Sequence, residues 1–256
     1  MKAVILAGGR GSRISEESDF KPKPMSEIGN MPILWHIMKI YSYHGVNEFV
    51  ILAGYKSYHI KNFFYNYNLR LNSVEFNLSS GNTKIIGKKI NWKIKVIDTG
   101  TETMTGGRIL RAKKYIGDDD FHLTYGDCIS DINLTHLKKF HIQHKKIGTL
   151  TGIIQPGRYG SLSLNDNKVS KFSEKPINKK DYINGGFFIF KKNIFKYLKN
   201  DETIFEREPL SNLADDNNLM CFKHNGFWHA MDTLNDKRSL DLMWKNNKAP
   251  WKRFIK

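Results

Sequence analysis

The chain has 256 residues, of which 40% are apolar and 12% aromatic, so it is long and apolar enough to bury a sizeable core. Its 41 Lys and Arg residues outnumber the 25 Asp and Glu residues by 16, a charge that favours anionic partners: nucleic acid, anionic membranes or phosphorylated small molecules. Cys128 and Cys221 fit neither a zinc pattern nor a secreted disulfide framework, and no apolar run approaches the roughly 20 residues that span a bilayer, so we expect a cytoplasmic protein with no membrane segment.

Strand-like and helix-like segments alternate along the first 147 residues. Buried apolar runs predict strands at 2–7, 48–54, 92–100 and 121–128, and helical periodicity predicts helices at 31–45, 55–67, 106–117 and 133–146. The later part is richer in strands, predicted at 148–155, 169–176 and 183–190, before a helix and a basic aromatic tail. This order predicts an α/β, Rossmann-like fold with a mixed, mainly parallel sheet flanked by helices. No long linker interrupts residues 1–256, which we therefore expect to form a single domain.

A glycine-rich turn follows the first predicted strand. Gly8, Gly9 and Gly11 alternate with Arg10 and Arg13, and glycines at such a place let backbone N–H groups face an anion such as a phosphate. The turn matches neither a Walker A loop nor a dinucleotide fingerprint. A tight turn with incidental arginines is the alternative interpretation of this segment alone.

Charged residues that could serve phosphate chemistry lie further along the chain. Lys23 stands between two prolines, which stiffen its loop, and its ammonium can neutralise a phosphate. Asp127 follows a predicted strand and Asp232 lies far away in sequence; two carboxylates together with phosphate oxygens form a typical Mg²⁺ site. On position alone, Asp127 could equally lie in a turn or cap a helix.

Four motifs together resemble the signature of the sugar-1-phosphate nucleotidylyltransferase family. They are LAGGRGSR at 6–13, KPM at 23–25, GD at 126–127 and EKP at 174–176. Segments 98–108, 183–188, 226–233 and 249–251 are similar, within that family, to the members that use CTP and glucose 1-phosphate. The resemblance runs from residue 3 to residue 251 and implies the nucleotide-diphospho-sugar transferase fold, with about 1–147 binding the nucleotide and about 148–256 serving sugar binding and oligomerisation.

The resemblance also implies a role for each matching residue. Arg13 and Lys23 would be catalytic, neutralising the charge that moves onto pyrophosphate, and Asp127 and Asp232 would hold Mg²⁺. The nucleotide would contact Leu6, Ala7, Gly8, Gly9, Arg10, Gly11, Ser12, Arg13, Lys23, Thr105, Arg108 and Gly126. The sugar phosphate would contact Glu174, Lys175, Asn184 and Gly185.

The implied activity is Mg²⁺-dependent cytidylyl transfer from CTP to α-D-glucose 1-phosphate. It would give CDP-glucose for the deoxysugars of surface polysaccharide such as O-antigen, and the family implies a homo-oligomer. The same reaction with UTP or dTTP, or with another sugar 1-phosphate, is the nearest alternative. A nucleic-acid-binding protein would also suit the charge, but the positive residues are spread and form no such motif. A silent regulatory relative is disfavoured because Arg13, Lys23, Asp127 and Asp232 are all retained.

Two further features remain to be placed. The family usually has glycine where this chain has Cys128, and a positive φ there would be strained for cysteine. His136, His141 and His144 have no metal-binding spacing, and we expect them on the surface of a lysine-rich helix.

Overall fold

The computed structural model describes residues 1–10, 20–154, 161–165, 168–173 and 182–255. Its α-helices are α1 (Ile33–Tyr43), α2 (Ser57–Tyr65), α3 (Tyr67–Leu71), α4 (Thr105–Arg111), α5 (Lys113–Ile116), α6 (Leu134–His144), α7 (Glu208–Asp215) and α8 (Leu234–Lys245). Three 3₁₀ turns are found at Lys23–Met25, Lys192–Tyr197 and Pro250–Phe254. Among the described residues, no helix has both the length and the apolar character needed to cross a bilayer.

The strands, numbered in chain order, fall into one large sheet and four small ones. They are β1 (Ala3–Ala7), β2 (Glu27–Ile28), β3 (Met31–Pro32), β4 (Glu48–Ala53), β5 (Ser73–Asn77), β6 (Asn82–Ile86), β7 (Lys93–Asp98), β8 (Phe121–Tyr125), β9 (Cys128–Ser130), β10 (Gly148–Ile153), β11 (Ser161–Asn165), β12 (Lys168–Ser173), β13 (Ile183–Asn184), β14 (Phe188–Phe190), β15 (Leu219–His224) and β16 (Trp228–Ala230).

The large sheet has eight strands and confirms the predicted fold class. Its order is β13-β10-β14-β8-β1-β4-β7, and β15, outside this linear order, also pairs with β10. The pairs β8–β1, β1–β4, β4–β7 and β10–β15 are parallel, whereas β13 and β14 run antiparallel to their neighbours. The sheet is therefore mixed and mainly parallel, and the carboxyl ends of β1 and β8 lie side by side.

Both faces of the sheet are covered, which explains why β1 is apolar throughout. Its alternate residues enter two separate cores: Ala3, Ile5 and Ala7 pack in one with α1, whereas Val4 and Leu6 pack in the other with α4. A strand buried on both faces needs a continuous apolar run rather than an alternating one. The predicted strand at 2–7 is therefore confirmed with one residue trimmed.

Several predicted elements are interrupted in the structure. The strand expected at 121–128 is divided into β8 and β9, and the helix expected at 55–67 is divided at Asn66 into α2 and α3. The strand expected at 183–190 is broken between β13 and β14, because Gly186 and Phe187 have positive φ angles of 73° and 46°. The break leaves Gly185 beside Thr151, with its N–H donating to the Thr151 carbonyl over 2.8 Å. The helix expected at 106–117 divides at Ala112 into α4 and α5.

The surface assignment of the histidines is wrong for His141. This residue is fully buried, and its Nδ1 lies 2.7 Å from the Thr149 hydroxyl, which is also 2.7 Å from His144 Nε2. The reason is that α6 packs against β10, so that His141 and His144 face the sheet, whereas His136 is exposed as predicted. The aromatic tail is also internal: Trp251 is fully buried in the core that contains α1.

Candidate active site

A cavity of about 400 Å³ opens at the carboxyl ends of β1 and β8. In an α/β sheet this edge is the usual position of a ligand site. The cavity gathers residues from five separate parts of the chain. Its lining consists of Leu6, Ala7, Gly8, Gly9, Lys23, Pro24, Thr103, Met104, Thr105, Arg108, Tyr125, Gly126, Asp127 and Asp232.

Most of the predicted site residues that the structure describes line this cavity. Arg10 and Asn184 lie outside the lining: Arg10 is exposed and pairs with Glu102, and Asn184 contacts Tyr125, a lining residue. Gly185 lies beyond it too, with its carbonyl accepting a 2.7 Å hydrogen bond from Trp228 Nε1. Five predicted residues are outside the described part of the chain, namely Gly11, Ser12, Arg13, Glu174 and Lys175.

Lys23 lies between the two predicted metal ligands. Its Nζ donates to Asp127 Oδ2 over 2.6 Å and to Asp232 Oδ1 over 2.9 Å. Only 10% of the Lys23 side chain is exposed, and burial by itself lowers the pKa of a lysine. The charges and hydrogen bonds of the two carboxylates outweigh that effect and leave the pKa of Lys23 raised. The ammonium therefore remains charged, and the three side chains together carry one net negative charge.

Local structure explains how residues so distant in sequence meet here. Pro22 caps the 3₁₀ turn that begins at Lys23, and its extended backbone is typical of a residue that directly precedes a helical turn. Strand β9 pairs with β16, and the Asp127 carbonyl accepts a hydrogen bond from Met231 N–H over 2.9 Å. Asp232 lies two residues after the end of β16 and directly before Thr233, which forms a capping box at the start of α8. The strand pair and the helix cap thus hold both carboxylates in place.

The donor set fits a magnesium ion. Asp127 Oδ2 and Asp232 Oδ1 accept hydrogen bonds from the same nitrogen, Lys23 Nζ, so the two carboxylates face one point in the cavity. Across the described ranges, no group of three or more His, Cys, Asp and Glu residues is arranged to hold a metal. One or two carboxylates are nevertheless the usual protein share for Mg²⁺, which takes its other ligands from water and substrate phosphates.

Cys128 does not strain the turn beside Asp127. It begins β9 and pairs with Ala230, and it is not one of the described non-glycine residues with positive φ. Its buried Sγ lies 3.4 Å from Asp127 Oδ1 and can donate a weak hydrogen bond to it. Burial, followed by the charge of Asp127, raises the pKa of the thiol well above its usual range. The chain therefore uses cysteine here as a small buried residue in a strand.

The glycines of the first turn have two different surroundings. A Cβ on Gly8 would collide with the guanidinium of Arg108, whereas a Cβ on Gly9 would meet no atom of the described residues within 4 Å, its chain neighbours apart. Arg108 is buried, and its Nη1 donates to the Thr99 hydroxyl over 2.8 Å and to the Gly100 carbonyl over 2.6 Å. Gly8 thus leaves space for a buried arginine, and Gly9 leaves open space on the cavity side.

A second part of the cavity wall, apart from the charged cluster of Lys23, Asp127 and Asp232, consists of hydroxyl groups tied to a carboxylate that sequence analysis missed. Glu206 accepts hydrogen bonds from the Thr105 hydroxyl over 2.7 Å and from the Tyr125 hydroxyl over 2.9 Å. Asn184 Nδ2 lies 3.3 Å from the same tyrosine hydroxyl. Thr105 and Asn184 were predicted from the family resemblance, but no motif marked Glu206, and its partners are 101 and 81 residues away in sequence.

Comparisons with known proteins agree with this architecture. The family model described as nucleotidyl transferase matches residues 2–236. The chain is 47% identical over 254 residues to the glucose-1-phosphate cytidylyltransferases of Salmonella typhimurium and Salmonella typhi, covering 98% of this chain and 99% of each relative. The crystal structure of UDP-glucose pyrophosphorylase complexed with UDP-glucose superposes with a TM-score of 0.69 at 15% identity, covering 96% of this chain and 98% of the other.

Proposed function

This chain belongs to the nucleotidyl transferase family, and we propose that it transfers a cytidylyl group from CTP to α-D-glucose 1-phosphate, giving CDP-glucose and pyrophosphate. The glucose-1-phosphate cytidylyltransferases that it resembles at 47% identity match it almost from end to end. It is accordingly a nucleotidylyltransferase. The choice of CTP over UTP or dTTP rests on these relatives and not on a residue of the cavity.

The observation that carries the proposal is the meeting of Lys23, Asp127 and Asp232 at the mouth of the cavity. In the proposed reaction a phosphate oxygen of the sugar 1-phosphate attacks the α-phosphorus of CTP. The bond from that phosphorus to the bridging oxygen breaks, and pyrophosphate leaves with the electron pair. Such a transfer requires positioning and neutralisation of phosphate charge rather than a covalent protein intermediate.

The predicted nucleotide-binding residues that line the cavity each have a task in this scheme. The backbone at Gly8 and Gly9 faces the triphosphate, because the cavity reaches these glycines and Gly9 has open space beside it. Leu6 and Ala7 lie along the nucleotide, and Lys23 moves its ammonium from the carboxylates to the phosphates. Thr105, Arg108 and Gly126 complete the nucleotide side. Arg13, Glu174 and Lys175 keep the roles that the family resemblance implies.

Magnesium is part of the proposal. Asp127 and Asp232 would hold the ion, which when bound supplies charge neutralisation to phosphate oxygens. The net negative charge that the two carboxylates keep after pairing with Lys23 supports a cation at this place. A strand pair and a helix cap fix the backbone beside the two carboxylates.

The test is pyrophosphate release measured with CTP, UTP, dTTP and ATP in turn, each with glucose 1-phosphate, with and without Mg²⁺. We expect turnover with CTP that exceeds the other triphosphates by at least about tenfold in kcat/KM and that stops when Mg²⁺ is removed. A preference for UTP or dTTP would refute the assignment of the base. No turnover with any triphosphate would refute the enzyme itself.

We also propose that the protein is a homo-oligomer. The support is a run of exposed large apolar side chains on α2, α3 and the hairpin β5–β6, which pairs with no other strand of the described sheets. A lone two-stranded sheet is marginal in water, and exposed apolar surface of this kind favours association. The residues are Tyr58, Tyr65, Leu69, Leu71, Phe76, Leu78 and Ile86. Sedimentation equilibrium tests this assignment, and a monomer at micromolar concentration would refute it.

Three broader parts of the proposal concern cellular context and organisation. We assign the reaction to the cytoplasm, supported by two free cysteines, and its product to the deoxysugars of surface polysaccharide such as O-antigen. We further propose one domain over residues 1–256, since strands from both the nucleotide-binding part and the sugar-binding part share the large sheet.

A further inference from the structure

One carboxylate outside the charged cluster joins two elements of the cavity wall. Glu206 lies in the turn before α7, and each of its carboxylate oxygens accepts one hydrogen bond. Oε2 accepts from the hydroxyl of Thr105, which begins α4, and Oε1 accepts from the hydroxyl of Tyr125, which ends β8. A single side chain therefore fixes a helix start to a strand end, both of which line the cavity.

The hydrogen-bond chain continues to the side predicted to hold the sugar. Asn184 Nδ2 donates to the Tyr125 hydroxyl over 3.3 Å, and Asn184 Oδ1 accepts from Gly186 N–H over 2.9 Å. The amide of Asn184 is thus oriented at both ends. Because Thr105 belongs to the predicted nucleotide side, the chain from Thr105 through Glu206 to Asn184 crosses the wall between the two subsites.

The hydroxyl groups of this wall have little freedom. The Thr105 hydroxyl donates to Glu206 and accepts from Phe205 N–H over 2.9 Å. The Tyr125 hydroxyl donates to Glu206 Oε1 over 2.9 Å and accepts from Asn184 Nδ2 over 3.3 Å. Tyr125 directly precedes Gly126 and Asp127, so fixing its orientation also helps to fix the end of β8, beyond which Asp127 lies.

We propose that Glu206 is a positioning residue for the nucleotidylyl transfer, holding Thr105 and Tyr125 in the orientations that shape the cavity for both substrates. Glu206 touches neither the reacting atoms nor the charged cluster in this role. The inference rests on the proposed function, since it takes the cavity to be the substrate site. Glu206 is itself exposed, so its removal leaves no void in the core and should cost little folding stability.

The first experiment compares Glu206→Ala and Glu206→Gln with a matched control, Glu208→Ala. The control removes a nearby carboxylate whose partner is Lys199 on the surface, 3.0 Å away. Loss of hydrogen bonds to a charged group should lower kcat/KM for both substrates by about tenfold in Glu206→Ala, chiefly through KM. Glutamine keeps one acceptor oxygen and should restore about a third of the activity. The control should stay within about twofold of wild type, and all three variants should melt within a few degrees of it.

A double-mutant cycle with Tyr125→Phe tests whether Glu206 acts by positioning Tyr125 or independently of it. Because the two side chains act through one hydrogen bond, Glu206→Ala combined with Tyr125→Phe should lose about as much kcat/KM as the worse single variant. Fully additive losses, or Glu206→Ala within twofold of wild type, would overturn the inference.

The outcome for Glu206 can be told apart from the outcome for the proposed function. Normal kinetics of Glu206→Ala in an enzyme that uses CTP would refute the positioning role alone. If wild type turns over no CTP with glucose 1-phosphate, the proposed function fails. Titration calorimetry with the triphosphate that binds best then tests Glu206 on the same variants: weaker binding in Glu206→Ala supports the inference, and equal binding refutes it.

Discussion

The two walls of the cavity are stabilised in different ways. On one wall, Lys23 is held by two carboxylates whose side chains are 26% and 17% exposed for Asp127 and Asp232. On the other wall, neutral hydroxyls are tied to the carboxylate of Glu206. The charged wall must exchange partners when phosphates and a cation arrive, whereas the neutral wall can stay as it is. We therefore expect the charged wall to govern turnover and the neutral wall to govern affinity.

The largest effect should follow from neutralising either carboxylate. Asp127→Asn and Asp232→Asn each remove a charged ligand from the proposed cation site, and we expect kcat to fall by about 10³-fold or more. Steady-state kinetics with CTP and glucose 1-phosphate, alongside thermal melting to verify folding, is the measurement. Asp216→Asn, which alters an exposed carboxylate that accepts from Tyr197, is the control and should keep normal turnover. Near-normal kcat in either test variant would remove that aspartate from the cation site.

Replacing the lysine between the carboxylates should have the next largest effect. Lys23→Met keeps the length of the side chain but removes its charge, and we expect kcat to fall by about 10²-fold because phosphate charge is no longer neutralised. The variant should also gain more thermal stability from Mg²⁺ than wild type does, since the cation then has no competitor for Asp127 and Asp232. Melting curves with increasing Mg²⁺ measure this. An equal Mg²⁺ effect in both proteins would show that Lys23 and the cation do not share these ligands.

A smaller effect should come from the glycine that borders the cavity. Gly9→Ala adds a methyl group that meets no atom of the described residues within 4 Å, its chain neighbours apart, so folding stability should hardly change. The methyl group would lie where the triphosphate approaches the backbone, and we expect KM for CTP to rise about tenfold. Unchanged KM would mean that the nucleotide does not approach Gly9. A large fall in melting temperature would contradict the open surroundings of this glycine.

The smallest effect concerns the pH dependence of folding stability and involves neither wall of the cavity. It arises from three buried histidines. Burial lowers the pKa of His36 to about 4, of His122 to about 3 and of His141 to about 4. The unfolded chain protonates these side chains near pH 6.5, so it binds more protons than the folded chain between about pH 6.5 and pH 4. Stability should therefore decline as the pH falls through that window.

We expect the melting temperature to be several degrees lower at pH 5 than at pH 7. His36→Gln can keep the hydrogen bond to the Ile28 carbonyl that His36 Nε2 makes over 2.8 Å, and it should lose less stability over the same interval. A melting temperature that is flat between pH 7 and pH 5 in wild type would contradict the neutral buried histidines.

The sequence predicts the charged wall much better than the neutral one. Lys23, Asp127 and Asp232 belong to short motifs, and the buried runs of β1 and β8 indicate that their carboxyl ends meet at one edge. Glu206 belongs to no such motif, because what it does depends on a fold that brings Thr105 and Tyr125 to it. Contacts of this kind leave no pattern in local spacing.

Other features escaped prediction because they depend on packing. The hairpin β5–β6 is absent from the predicted elements, because the alternation of Val74 and Phe76 with polar residues is short and neither strand contains a buried residue. His141 looks like a surface residue on a lysine-rich helix until β10 is packed against it. Phe187 is fully buried with a left-handed backbone, which interrupts a strand that its apolar neighbours predict. In each case a tertiary contact decides the outcome against the local pattern.

The central claim is that this cavity directs attack on the α-phosphorus of CTP by glucose 1-phosphate. Phosphorus NMR of the wild-type enzyme with both substrates and Mg²⁺ tests it most directly, since it identifies which bond of the triphosphate breaks. The account predicts that CTP and glucose 1-phosphate disappear together while the resonances of CDP-glucose and pyrophosphate grow in equal amounts. Release of CDP with inorganic phosphate, or CTP consumption that does not depend on glucose 1-phosphate, would contradict it.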